Sequence, residues 1–110
     1  SRASPLDGAA TAIASAASGA HLAPAATLTT TRASSLVFMV GTDTQGSRTM
    51  VAPAGQTVVG QSNSLSNTFW VQRTTAGVPT AGTAVTMTST YTPASFPDRW
   101  SVAVIEIRTP

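Results

Sequence analysis

Apolar positions along this chain of 110 residues fall in short runs and local alternations with polar residues. No window of a dozen residues holds an apolar stripe at helical spacing without a Gly, a Pro or a run of Thr interrupting it, so the pattern predicts strands. Residues 8–17 are Ala-rich and helical by propensity alone. They carry no charged pairs, a lone helix this short is marginal in water, and Thr11, Ile13 and Ser15 alternate with alanines, so an extended segment is expected. Residues 26–32 alternate around Leu28. The run 35–40 is apolar on both sides, the mark of a central strand, and residues 100–108 repeat that pattern. Extended segments follow at 48–52 and 57–61, joined by Pro53-Ala54-Gly55-Gln56, whose Pro and Gly suit a type II turn. Residues 61–67 read as a polar, turn-rich connection. In 68–74, Phe69, Val71 and Arg73 point one way and Trp70 and Gln72 the other. Residues 75–82 make a hairpin connection, and 83–90 place Val85 and Met87 opposite Thr86 and Thr88. Pro93 and Pro97 keep 91–99 from forming a regular ladder.

Short strands at this spacing, separated by turn signals, predict an all-β fold. The expected form is an antiparallel β-sandwich of jelly-roll or immunoglobulin-like type, with a small closed barrel as the alternative. One domain spans 1–110, and residues 1–25 form an Ala/Ser-rich arm or its first strands.

Charge changes this picture more than size does. Only 9% of residues are Asp, Glu, Lys or Arg, against about 25% in an ordinary soluble domain, so Thr, Ser, Ala and Gly must supply most of the surface. The net charge of +2 comes from six arginines against four acids. The arginines are scattered along the chain, whereas phosphate binding needs them clustered on one face. No nucleic-acid partner is therefore expected. No run approaches the roughly 18 apolar residues of a membrane span, so no membrane insertion is expected either. The chain starts at Ser1 and reads as a processed product or an excised segment. It has no Cys, so disulfides contribute nothing to stability.

The stretch Phe69-Trp70-Val71-Gln72-Arg73, then residues 79–86, then Asp98-Arg99-Trp100 running into Val104-Ile105-Glu106-Ile107, resembles a β-sandwich module widespread in secreted bacterial proteins. Pro5-Leu6-Asp7, residues 29–37 and Gly41-Thr42-Asp43 belong to the same likeness. It covers nearly the whole chain and corresponds to the C-terminal portion of the longer module. It implies an extracellular or cell-surface location and a β-sandwich fold, and it carries over no catalytic residues. Where that family often has an aromatic after the acid of the Gly-x-Asp loop, this chain has Thr44.

Candidate chemistry is sparse. His21 is the only histidine, in a small-residue loop with no Gly-x-Ser-x-Gly elbow, and reads as a solvated loop residue. Asp98 and Glu106 are the nearest acids for a glycosidase-type pair, but the first reads as a turn cap or the partner of Arg99 and the second sits near a strand end. Asp43, with neighbouring hydroxyls and carbonyls, is a weak one-carboxylate candidate for Ca²⁺. No cofactor is implied. If Phe69 and Val71 fill the core, Trp70 and Gln72 lie on an outer face or beneath another layer, where an aromatic ring and an amide can stack on and bond to sugars. Trp70, Gln72, Arg73 and Trp100 are the residues of that candidate glycan site. The competing reading packs both tryptophans in the core or at its rim, since Trp is highly buried on average.

These observations lead to a non-catalytic extracellular structural or adhesive module. Its neutral surface associates with copies of itself or with adjacent domains, its opening arm being suited to strand addition. A carbohydrate-binding module for some polysaccharide and a small secreted hydrolase are the alternatives.

Overall fold

The computed structural model describes residues 8–20, 23–44, 46–64, 66–92 and 98–109. Every regular element among them is a strand, in chain order β1 Thr11–Ala20, β2 Ala25–Thr29, β3 Leu36–Asp43, β4 Thr49–Val51, β5 Gln56–Ser64, β6 Asn67–Thr74, β7 Ala84–Thr88, β8 Thr90–Thr92 and β9 Asp98–Ile107. The protein is all-β. Five strands form one antiparallel sheet in the order β1-β9-β3-β6-β5, and β2 with β7 and β4 with β8 form two small antiparallel sheets.

The two runs that are apolar on both sides, β3 and β9, lie next to each other in the middle of the large sheet, as central strands should. Register then sorts every strand into two faces. One inner row is Ala12, Val104, Met39, Gln72 and Val58, and the next is Ala14, Val102, Gly41, Trp70 and Gln61. Val37, Met39, Trp70, Trp100, Val102 and Val104 of this face are buried in one cluster with Ala26, Leu28 and Met87 of the β2–β7 sheet and Met50 and Tyr91 of the β4–β8 sheet.

Four local expectations need correction. Residues 83–90 are not one strand: buried Ser89 separates β7 from β8, and its N–H donates to Pro24 O at 3.2 Å while the flanking strands join different small sheets. Residues 61–67 are not a loose connection. β5 continues to Ser64 and β6 begins at Asn67, with Ser66 at positive φ closing the hairpin. The Gly41-Thr42-Asp43 stretch is not a loop, because β3 runs through Gly41 to Asp43. Residues 75–82 do not close a hairpin, because β6 and β7 lie in different sheets. The Ala-rich opening segment is extended as expected, as β1 paired with β9. At 53–56 the turn is as predicted: Gly55 takes φ 84° and Gln56 N–H donates to Pro53 O at 3.1 Å. Pro93 and Pro97 lie outside the described residues.

Candidate interaction face

Alternation gives Phe69 and Trp70 opposite directions but cannot say which points inward. Gly41 decides it. It falls in the same alternating set as Val37 and Met39 of β3 and stands directly across from Trp70 on β6. A Cβ at Gly41 would run into the Trp70 ring carbons, so the indole occupies the space that the glycine leaves. Trp70 is 1% exposed, and Gln72 and Trp100 are buried as well. The candidate platform of Trp70, Gln72, Arg73 and Trp100 is thus not a surface feature. Its two indoles and its amide face the core, and Arg73 alone lies on the outer side, where its guanidinium donates to the carbonyls of Thr74 at 2.9 Å and Thr75 at 3.1 Å.

Gln72 serves the interior. Its Nε2 donates to Gln56 Oε1 at 2.6 Å and to Thr88 O at 2.7 Å, tying the large sheet to β7. Gln56 completes the link, its Nε2 donating to Thr86 O at 2.9 Å and its Oε1 accepting from Thr88 N–H at 3.2 Å. At the far end of β5, the Gln61 amide meets the backbone of Met50 from both sides. Its Oε1 accepts from the N–H at 2.9 Å and its Nε2 donates to the C=O at 3.4 Å. Asn63 Nδ2 donates to Arg48 O at 2.9 Å. Amide side chains of β5 thereby stand in for a neighbouring strand along the edges of β7 and β4.

Glu106 is fully buried at the inner end of β9. Its carboxylate accepts from Ala10 N–H at 3.0 Å, Thr31 N–H at 2.8 Å, Thr31 Oγ1 at 2.8 Å and Arg32 N–H at 3.2 Å. Burial alone would raise its pKa, but the bonds from Ala10, Ser35 and Thr31 outweigh that effect and hold it down at about 2. A carboxylate so saturated with donors is a joint between segments and is poorly placed to act as a general acid. Asp98 and Glu106 stand at opposite ends of β9, eight residues or about 27 Å apart along the strand, against the roughly 5–10 Å of a glycosidase pair. Along the strand the two positions are too far apart for a glycosidase-type pair, the reading that the sequence already disfavoured. Asp43 is buried at the end of β3, and no group of three His, Cys, Asp or Glu side chains that could hold a metal occurs among the described residues. His21 and Asp7 lie outside the described residues.

What the large sheet offers to the outside is its other face. Leu36 and Ile107 form one outward row, Thr11, Ile105, Phe38, Arg73 and Thr57 the next, then Ile13, Ala103, Val40, Val71 and Gly60, then Ser101, Thr42, Phe69 and Ser62. Ile13 is 85% exposed, Val40 51% and Phe69 55%. By alternation the only charged residues on this face, among the described residues, are Arg73 and Arg99, both at its margins. Ala103 and Ser101 are small, so the outer side of β9 is a trough between Ile13 on one flank and Val40 and Thr42 on the other, about 790 Å³ in volume. A second groove of about 350 Å³ lies on the β5 side of Val40 and Phe69, over Gly60 and Ser62. Phe69 is the ridge between them.

Comparison with family models, curated proteins and solved structures finds no match for this chain. Its functional reading rests on this geometry. The sequence already carried the signal for the face, since β3 and β9 are apolar on both sides. Alternation alone does not say what covers the second side.

Proposed function

We propose that this chain is a non-catalytic structural or adhesive module of an extracellular protein, a two-layer β-sandwich whose outer sheet face is covered in an assembly. The sandwich reading rests on the shared core between the large sheet's inner face and the two small sheets. The functional reading rests on one observation: the exposed apolar residues Ile13, Val40 and Phe69 line one open trough on a face whose charges, among the described residues, are Arg73 and Arg99 alone. Scattered exposed apolar residues are ordinary, but a contiguous patch marks an interaction site. The neutral composition fits this role, because few charges oppose close approach of a second surface.

Binding of an environment-sensitive apolar dye such as ANS tests the reading. At concentrations well below micromolar, where the face is open to solvent, the folded chain should enhance the dye's fluorescence, and Val40→Lys, which puts a charge at the middle of the face, should abolish most of that enhancement with an unchanged far-UV spectrum. A folded chain that leaves the dye dark, or a Val40→Lys variant that binds it equally, contradicts the reading.

A further inference from the structure

Building on the covered-face reading above, we infer that the occupant of the outer face is a second copy of this chain, packed sheet to sheet about a two-fold axis that runs along β3. The face holds both halves of a complementary contact. Phe69 is a projecting knob on β6, and the trough over Ser101 and Ala103 is a hole on β9, with β3 between them. A two-fold axis lying between two facing sheets and parallel to β3 sets β6 of each copy over β9 of the other. Phe69 then meets the trough twice, once from each copy, the self-complementarity that an isologous interface requires.

Area and charge agree with this occupant. Five strands at about 4.8 Å by eight residues at about 3.4 Å give a face of roughly 650 Å², so two copies bury roughly 1,300 Å², just inside the range of stable interfaces. Arg73 and Arg99 sit at margins of the face, so the centre of the contact brings no like charges together. The axis passes near Val40, which places one apolar side chain against its own copy where desolvation is most complete.

Sedimentation equilibrium on the whole chain tests the pairing. The wild type should be a reversible dimer in the micromolar range, and Phe69→Ala and Ala103→Phe should each weaken it at least tenfold, the first by removing the knob and the second by filling the hole. Combining them exchanges knob and hole between the strands, so the double variant should recover most of the lost affinity, which two unrelated surface defects would not do. A wild type that stays monomeric to about 1 mM overturns the inference. If that monomer still binds ANS, the face belongs to a different domain; if it does not, the covered-face reading fails as well. Dimers that ignore both substitutions also overturn the inference, since they would form through another surface.

Discussion

Two residues carry more of this structure than their size implies. Gly41 is needed because the Trp70 ring lies where its Cβ would be, in a strand where any larger residue is otherwise favoured. Gly41→Ala should therefore cost about 1–3 kcal/mol by overpacking, read as a lower urea midpoint together with a changed Trp emission. An unaltered midpoint would mean that the indole has room to move. Glu106 ties together residue 10, residues 31–32 and β9 through one carboxylate. Its pKa of about 2 lies below the ordinary value of 4.5, so folding favours the ionised form. The sign follows: the stabilisation is complete above the unfolded pKa and is lost as pH falls from about 4.5 towards 2, in all on the order of 3 kcal/mol. Glu106→Gln should lower stability at pH 7 by about 2–4 kcal/mol and flatten the acid limb of the stability profile. Urea melts of both proteins at several pH values measure both effects, and an acid limb that keeps its slope in the variant would assign it to other groups.

Among the elements, β5 is an edge strand of the large sheet whose amide side chains reach the backbones of β7 and β4. Gln56 makes two of these bonds and accepts a third from the side chain of buried Gln72. Gln56→Ala should cost about 1–3 kcal/mol, because it leaves the Gln72 amide and Thr88 N–H without this partner, and Gln61→Ala less, since Gln61 is solvent-exposed. Equal losses by chemical denaturation would contradict the distinction. This is also where sequence reading reached its limit. The alternation of β6, the two-sided apolarity of β3 and β9 and the turn at Gly55 were all legible, because each is written in consecutive residues. The polar run 61–64 looked like a turn because its amides bond across to Met50 and Arg48, and that pairing depends on a register between distant strands. The inward choice of Trp70 over Phe69 hung in the same way on a glycine 29 residues earlier in the chain. The break at Ser89 was hidden because Thr-rich strands continue on both sides of it.

For the whole molecule, scarcity of charge is the property from which the rest follows. With 9% charged residues, one face of the large sheet closes the core and the other is left nearly as apolar, its outward rows running from Leu36 and Ile107 to Phe69. A two-sided apolar sheet with one side in water is a costly arrangement for an isolated chain, by roughly 25 cal/mol for each Å² of apolar surface left uncovered. Covering that side with a like surface removes the cost without demanding complementary charge. The measurement that tests this most directly is site-specific cross-linking of a chain that has no native cysteine. Val40→Cys, at the centre of the outer face, should give a covalent dimer with a short bis-maleimide at micromolar protein. Ala76→Cys, exposed in the 75–83 connection, should remain monomeric under the same conditions. Cross-linking at Ala76→Cys as efficient as at Val40→Cys, or none at Val40→Cys, would contradict burial of this face between two copies.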